Sequence, residues 1–178
     1  MDNDIEKILY TEEEIKERVK QLAAQVRRDM EGEDLIILTV LKGGIMLSAD
    51  LVRNLGFPVT MDFIAVASYY SGTKSTGNVQ IKKDTDINMA GKRVLIVEDI
   101  VDSGSTLAHL MKLFALRGAT EVRICTLLSK PARRVVDIKV DYIGFEIPDE
   151  FVVGYGLDYN QKYRNLPYIG ILKPDIYV

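Results

Sequence analysis

Residues 94–107 read VLIVEDIVDSGSTL, and this stretch decides the fold class. The apolar run that begins at Arg93 predicts a strand buried on both faces, as in parallel sheets. Glu98 and Asp99 end this strand, and residues 102–106 form a turn. The turn leads into a helix of about residues 106–117, closed by Gly118. A strand, a polar turn and a helix in this order are one unit of an α/β sheet.

The rest of the chain repeats this unit. Thr11 and Glu14 form a capping box, which opens a helix that extends to Gly32. Apolar periodicity and turn residues predict the other elements. These are a strand at 35–41, a helix at 45–55, strands at 59–68, 80–86 and 121–128, and further strands at 141–147, 151–153 and 168–172. Residues 69–79 are polar and predict a mobile loop, or two strand ends joined by one.

Length and charge narrow the class of protein. The 178 residues fit a single domain, 1–178. A net charge of −3 leaves no global basic footprint for nucleic acid. The chain has one cysteine and one histidine, which excludes an internal disulfide, a CxxC site and any site that needs two histidines. Cys125 is expected to be a buried apolar thiol, and His109 a packing or surface residue.

The sequence gives no indication of a membrane protein. It contains no run of about 18 apolar residues, which a membrane-spanning helix would need. The first residues, MDNDIEKILYTEEE, are acidic and lack the apolar region of a secretory signal. We therefore expect a cytoplasmic location and no membrane partner.

The turn after the strand at 93–97 is the first candidate for chemistry, because ligands of open α/β sheets bind beyond the carboxyl ends of the strands. A helix N-terminus with Ser and Thr hydroxyls suits a phosphate monoester. The carboxylates beside it would repel that phosphate unless Mg²⁺ or a hydroxyl-bearing group lies between. The combination suggests a phosphorylated sugar. Turn chemistry alone is equally consistent with an ordinary turn in which Asp102 or Ser103 caps the helix.

Two other phosphate motifs do not fit. The Walker pattern needs a lysine before the Ser or Thr, and this turn has none. Gly154-Tyr155-Gly156 lacks the third glycine of a dinucleotide-binding fingerprint, and it is expected to be a turn.

The segment VLIVEDIVDSGSTL resembles the phosphoribosyl pyrophosphate (PRPP) motif of type I phosphoribosyltransferases. Four further segments are similar to the hypoxanthine-guanine phosphoribosyltransferases: LKGG, SYYSGTKSTG, LLSKP and GFEIPDEFVVGYGLDYNQKYRNLPYIG. The resemblance extends from about Ile5 to the C-terminus. It implies a parallel-rich twisted sheet flanked by helices, with a small hood formed by the N-terminal and C-terminal segments.

The resemblance also implies a reaction. The family joins N9 of a 6-oxopurine, hypoxanthine or guanine, to PRPP and releases pyrophosphate, with Mg²⁺ as cofactor. It places Glu98 and Asp99 beside the ribose and a Mg²⁺, and Asp102 beside purine N7 as the candidate general base. The residues that would hold the 5′-phosphate are Ser103, Gly104, Ser105 and Thr106.

Other matched positions would bind the base and the pyrophosphate. Lys130 would donate to purine O6, Phe151 would stack on the ring, and Val152 would offer backbone groups to the base edge. Asp158 would lie near a second Mg²⁺ and the base edge. The pyrophosphate residues would be Leu41, Lys42, Gly43 and Arg164, with a Leu41-Lys42 peptide that can be cis. Ser68 and Tyr69 would begin a lid. From the residues alone, Lys42 would be a solvated lysine and Phe151 a core residue.

Related proteins are usually homodimers or homotetramers, so we expect the same here.

The alternative function is a regulator that binds PRPP and nucleic acid on the same fold. It would need a basic face, and a steep dependence of binding on salt would reveal it. The chain has the basic pairs Arg27-Arg28, Lys82-Lys83 and Arg133-Arg134. Each is short and is interpreted as ordinary surface.

Overall fold

The computed structural model describes residues 1–32, 34–71 and 74–177, and between residues 68 and 78 it describes backbone only. Six strands in the described residues form the main sheet: β2 (Leu35–Leu41), β3 (Thr60–Ser71), β4 (Lys74–Lys83), β5 (Arg93–Val101), β6 (Glu121–Ser129) and β7 (Tyr142–Glu146). Their spatial order is β4-β3-β2-β5-β6-β7. Only the β3–β4 pair among them is antiparallel, so the predicted parallel-rich α/β sheet is confirmed.

Helices cover both faces of this sheet. They are α1 (Glu12–Met30), α2 (Ile45–Leu55) and α3 (Ser105–Leu116), and a short α4 (Pro174–Tyr177) lies near the C-terminus. The capping box at the start of α1 is confirmed, since Glu14 N–H donates to Thr11 Oγ1 and Thr11 N–H to Glu14 Oε2. No helix in the described ranges is long and apolar enough to cross a bilayer.

The two faces of β2 belong to two different cores, because neighbouring residues of a strand point to opposite sides. Leu35 and Ile37 pack in the core that also contains buried residues of α1 and α2. Ile36 and Leu38 pack in the core that contains Phe114 of α3. This two-sided burial explains why the strand sequence is continuously apolar, and it holds the carboxyl end of β2 in a rigid position.

A second, antiparallel sheet forms the predicted hood. Its strands in the described residues are β1 (Ile5–Tyr10), β8 (Val152–Val153) and β9 (Ile169–Leu172), in the order β1-β9-β8. Ile5 pairs with Leu172, so the two ends of the chain meet in this sheet. The hood from N-terminal and C-terminal segments is therefore confirmed.

The prediction that Glu98 and Asp99 end the strand is wrong. Strand β5 continues to Val101, because its ladder with β6 continues through the pairs Ile100–Leu128 and Val101–Ser129. In this ladder Glu98 pairs with Thr126 and Ile100 pairs with Leu128, and Asp99 lies between these two pairs. The two carboxylates are thus held by the sheet itself and not by a loose turn.

The alternative interpretation, in which Asp102 or Ser103 is the N-cap of the next helix, is wrong. Gly104 is the N-cap of α3, in the left-handed conformation with a φ of 83°. The Ser103 hydroxyl accepts from Ser105 N–H at 3.3 Å, within the turn. Asp102 is therefore left available for another role.

For residues 69–79 the sequence predicted either a mobile loop or two strand ends joined by a loop, and the strand boundaries follow the second of these. Strand β3 ends at Ser71 and β4 begins at Lys74, so two strand ends are joined by a short connection whose residues lie outside the described part. The strand predicted at 80–86 begins earlier and ends at Lys83. Antiparallel pairing with β3 extends both strands beyond their apolar stretches.

An ion pair connects the end of α3 to the loop after β4. Arg117 donates from Nη1 to Asp84 Oδ1 at 2.6 Å and from Nη2 to Asp84 Oδ2 at 2.7 Å. These hydrogen bonds from the guanidinium hold the pKa of Asp84 at about 2. The pair therefore contributes to stability in a pH-dependent way.

We expect Asp84→Asn to lower the free energy of unfolding at neutral pH by about 0.2–1 kcal/mol, because the pair is partly exposed to solvent. The pKa of Asp84 is lower in the folded chain than the ordinary value of about 3.9. The contribution is thus complete above that value and is lost as the pH falls through about 2. Urea unfolding at several pH values measures it. Asp86→Asn is the control, and a pH-independent difference for Asp84→Asn would contradict the assignment.

Candidate functional site

A cavity of about 680 Å³ opens at the carboxyl ends of β2 and β5. It is the place where the topology of an open α/β sheet puts its ligands. Most of the residues singled out from the sequence line it. They are Leu41, Gly43, Glu98, Asp99, Asp102, Ser103, Gly104, Ser105, Thr106, Asp158 and Arg164.

The turn of residues 103–106 forms one wall of the cavity. Gly104 is required there twice over: its φ is positive, and a Cβ would approach the side chains of Ile138, Arg134 and Val136 to 3.0–3.2 Å. The helix α3 begins directly after it, with Ala108 N–H donating to Gly104 O at 2.9 Å. The positive end of that helix faces the cavity wall, an arrangement that favours an anionic ligand.

Glu98 and Asp99 form the acidic part of the cavity. Both side chains are half-buried, and Asp99 Oδ1 accepts from Ile100 N–H at 2.7 Å. Removal from water and the neighbouring Asp99 raise the pKa of Glu98 well above its ordinary range. Removal from water also raises the pKa of Asp99, against the opposing effects of the Glu98 hydrogen bond, Ile100 N–H and Arg164. Two carboxylates so placed favour a cation or a hydroxyl-rich ligand between them.

The loop after β2 presses against this pair. The Leu41-Lys42 peptide is cis, as the resemblance allowed. A Cβ at Gly43 would collide with the carboxylate of Asp99, so only glycine permits this approach. Lys42 does not line the cavity, and its Nζ donates to Gln161 Oε1 at 2.9 Å.

Arg164 enters the cavity from the hood. Its Nη1 donates to Gly156 O at 2.7 Å, and its Nη2 lies 2.8 Å from Asp158 Oδ1. Its Nε is buried and has no partner among the described residues. A buried donor without a partner is costly, so an anion or another acceptor that reached it would be stabilised.

Three predicted base-binding residues lie outside the lining of the cavity. Lys130 is buried, with an exposed fraction of 9%, and its Nζ lies 3.3 Å from Asp149 Oδ1. Phe151 is 37% exposed and stacks on Tyr177, with ring centroids 4.7 Å apart. Val152 is buried in β8, the outer strand of the hood sheet. Phe151 is thus more exposed than a core phenylalanine.

Arg133 was missed by the sequence analysis, which placed it on ordinary surface. It lines the cavity, and its Nε donates to Asp102 Oδ1 at 3.0 Å. Asp149, which pairs with Lys130, was missed as well. The only available signal was that Arg133 follows Lys130 closely along the chain. Asp149 had no such signal, because ion pairs over 16 or more positions leave no local pattern.

The remaining candidates divide into surface, core and undescribed positions. His109 is exposed, as expected. Cys125 is buried, and burial raises the pKa of its thiol to about 12, which confirms the apolar thiol. The side chains of Ser68 and Tyr69 lie outside the described part of the chain, and their backbone belongs to β3. Val66 of the same strand lines the cavity.

Comparison with known proteins gives a consistent result. A family model described as "Phosphoribosyl transferase domain" matches residues 7–160. The hypoxanthine-guanine phosphoribosyltransferase of Bacillus subtilis is 50% identical over 177 residues, which cover 99% of this chain and 98% of that protein.

Solved structures agree with this match. A crystal structure of a hypoxanthine phosphoribosyltransferase from Staphylococcus aureus is 48% identical and has a TM-score of 0.97, covering 100% of this chain and 97% of that one. A structure of Trypanosoma cruzi hypoxanthine phosphoribosyl transferase, from work on how its C-terminal region affects oligomeric state and activity, is 42% identical. Its TM-score is 0.92, and the match covers 97% of this chain and 94% of that one.

The raised pKa of Glu98 predicts an effect on the free energy of unfolding that can be measured. Because the folded chain raises its pKa, ionised Glu98 lowers stability above its ordinary pKa of about 4.3. We expect Glu98→Gln to increase the free energy of unfolding at neutral pH by on the order of 1 kcal/mol. Below the ordinary pKa the gain should disappear, since Glu98 is then protonated in both states.

Urea unfolding of the protein without ligands measures this difference. Glu146→Gln replaces an exposed glutamate and should change stability by less than about 0.5 kcal/mol. A Glu98→Gln variant less stable than the wild type at neutral pH would show that the carboxylate is fully compensated in the fold.

Proposed function

This chain belongs to the phosphoribosyltransferase family, and on that basis we propose that it is a purine salvage enzyme. It transfers the 5-phosphoribosyl group from PRPP to N9 of hypoxanthine or guanine, giving IMP or GMP and pyrophosphate. The observation that carries this proposal is one cavity that joins a carboxylate pair, a hydroxyl-rich helix N-terminus and an arginine whose buried Nε has no partner within the described part of the chain. These three features match the ribose, the 5′-phosphate and the pyrophosphate of one substrate.

The phosphate turn binds the 5′-phosphate. Ser103, Ser105 and Thr106 supply hydroxyl groups, and Gly104 lets the backbone come close to the anion. The start of α3 supplies partial positive charge. With the phosphate held there, the ribose hydroxyls lie toward Glu98 and Asp99 on the preceding strand.

Glu98 and Asp99 fit a Mg²⁺, because hard oxygen ligands are those that Mg²⁺ prefers. A divalent cation would also offset the cost of two neighbouring carboxylates that have lost water. When bound, Mg²⁺ neutralises charge on the pyrophosphate side of the substrate. Asp158 is the proposed acid near a second Mg²⁺. Its oxygens already accept from Arg164 and Gln161 N–H, and a carboxylate has lone pairs left for more.

The pyrophosphate lies between the loop after β2 and the hood. Leu41, Lys42 and Gly43 supply the loop, with Lys42 released from Gln161 to reach the anion. Arg164 offers its buried Nε and a planar fork that suits an oxyanion. Cationic and N–H donors held in place before the reaction stabilise the charge that grows on the leaving pyrophosphate.

The base lies at the hood end. Phe151 stacks on the purine, and Lys130 donates to O6, which selects oxo over amino purines because an ammonium has donors only. Val152 is in an outer strand, so one side of its backbone is unpaired within the hood sheet and can bind the base edge.

In the chemical step, the bond from N9 to C1 of the ribose forms as the bond from C1 to pyrophosphate oxygen breaks. Asp102 takes the proton from N7.

Ser68 and Tyr69 begin the proposed lid, which excludes water from the reacting centre. We also propose a homodimer or homotetramer and a cytoplasmic location. The single cysteine, Cys125, is buried and forms no disulfide, which suits that location.

The alternative function, a regulator that binds PRPP and nucleic acid, finds little support in the charge distribution. Arg27, Arg28 and Arg133 of the basic pairs are each engaged by acidic side chains, so they do not form a free basic face.

The activity is tested by pyrophosphate release from PRPP and Mg²⁺ with hypoxanthine, guanine, xanthine, adenine or uracil in separate reactions. We expect release with hypoxanthine or guanine, and none after addition of a chelator. Preference for adenine or uracil would overturn the oxopurine assignment. A folded protein that binds PRPP without release would instead support the regulator, and RNA binding at increasing salt would then be measured.

Asp102→Asn tests the general base. We expect it to lower kcat by about 10²–10⁴-fold, the usual contribution of a positioned base. The Kd of PRPP should change little, because the phosphate turn is intact. Titration calorimetry and steady-state kinetics measure the two quantities. A collapse of PRPP binding would show that Asp102 holds the substrate or a metal instead.

A further inference from the structure

A chain of four charged residues runs beside the cavity, and we call it the ion chain: Lys130, Asp149, Arg133 and Asp102. Lys130 Nζ lies 3.3 Å from Asp149 Oδ1, and Asp149 Oδ2 lies 3.3 Å from Arg133 Nη1. Arg133 Nε lies 3.0 Å from Asp102 Oδ1. One carboxylate therefore contacts two cations, and one guanidinium contacts two carboxylates.

The main chain fixes Arg133 between these partners. A 3₁₀ helix at Pro131–Arg133 follows Lys130 directly, and Arg133 N–H donates to Lys130 O at 3.1 Å. Shortly after it, Val135 N–H donates to Ser103 O at 3.1 Å. The segment is thus attached at one end to the lysine and at the other to the phosphate turn, which limits where the guanidinium can lie.

We propose that Arg133 and Asp149 are positioning residues, which set the spacing between the Lys130 ammonium and the Asp102 carboxylate and thereby specify a 6-oxopurine. The inference rests on the proposed function, in which Lys130 and Asp102 contact the base. Neither Arg133 nor Asp149 touches the reacting atoms in this scheme.

The chemistry of the base explains why the spacing matters. O6 and N7 lie next to each other on one edge of a 6-oxopurine. Lys130 has donors only, and ionised Asp102 has acceptors only. The base is bound well when O6 meets the ammonium and N7–H meets the carboxylate at the same time. A 6-aminopurine has a donor in place of O6, so it offers no acceptor to the Lys130 ammonium.

Arginine suits the linking position for a geometric reason. Its planar fork holds two oxygen partners in fixed directions, whereas a lysine is a flexible point charge. In the ion chain, Nε and Nη1 of Arg133 contact different acids, so the guanidinium acts as a spacer as well as a charge. The Arg133 side chain is 53% exposed, and we therefore expect a modest effect on substrate binding.

Steady-state kinetics of four variants test the proposal: Arg133→Ala, Arg133→Lys, Asp149→Asn and the double variant Arg133→Ala/Asp149→Asn. Arg133→Ala should raise the KM for hypoxanthine about twofold to fivefold, with a smaller change in the KM for PRPP. Arg133→Lys should restore part of the loss, because it keeps the charge but not the fork. The double variant should lose less than the product of the two single losses.

Arg28→Ala is the matched control, since Arg28 is an exposed arginine that pairs only with the neighbouring Asp29 among the contacts of the described residues. It should leave both KM values unchanged. Thermal unfolding of every variant separates a loss of fold from a loss of positioning.

Four results would overturn the inference. Equal increases in the KM for PRPP and hypoxanthine would place Arg133 in the PRPP site. Multiplicative losses in the double variant would show that Arg133 and Asp149 act separately. A lower KM for hypoxanthine in Arg133→Ala would show that Arg133 competes with the base for Asp102. An inactive wild type would instead refute the proposed function, whereas an active wild type with unaffected variants would refute this inference alone.

Discussion

The backbone of Gly43 lies in contact with the carboxylate of Asp99 on one side and with Gly156 of the hood on the other. A Cβ at Gly43 would collide with Asp99, and a Cβ at Gly156 would collide with Gly43 O. Three parts of the molecule therefore meet at Gly43. The loop after β2 contacts β5 through the Asp99 carboxylate, and it contacts the hood backbone to backbone at Gly156.

Charge is distributed along the cavity in a way that suits the proposed substrate, which has two separate anionic groups. The half-buried carboxylates Glu98 and Asp99 line the same cavity as the start of α3 and Arg164, the two features proposed to bind anions. Alone, the carboxylates are destabilised by loss of water, which is why burial raises the pKa of Glu98. The site thus holds an electrostatic cost in the free chain that the proposed cation and ribose would relieve, as functional sites often do.

Phe151 and Lys130, which are proposed to bind the base, are held by the hood and by contacts from distant parts of the chain. Phe151 is stacked on Tyr177 and meets Tyr159 edge to face, so residues from two C-terminal stretches hold the ring. Lys130 follows β6 but is held by Asp149, which follows β7. Arg133 then connects this end to Asp102 after β5. Residues that follow three different strands, β5, β6 and β7, are therefore linked by ion pairs as well as by the pairing of the sheet.

The sequence by itself determined the elements whose signals are local. The apolar runs at β2 and β5, the capping box of Thr11 and Glu14, and the turn at residues 103–106 each report burial or hydrogen bonding within a few residues, and the resemblance supplied the hood. Tertiary structure decided the rest. Strand β5 passes beyond Asp99 because β6 lies beside it, and Gly104 is the N-cap in a left-handed backbone conformation that favours glycine. The contacts of Arg133 could not be predicted from the sequence, because its partners Asp102 and Asp149 follow other strands. An ion pair depends on distance in space, and only the packed sheet brings those carboxylates to the guanidinium.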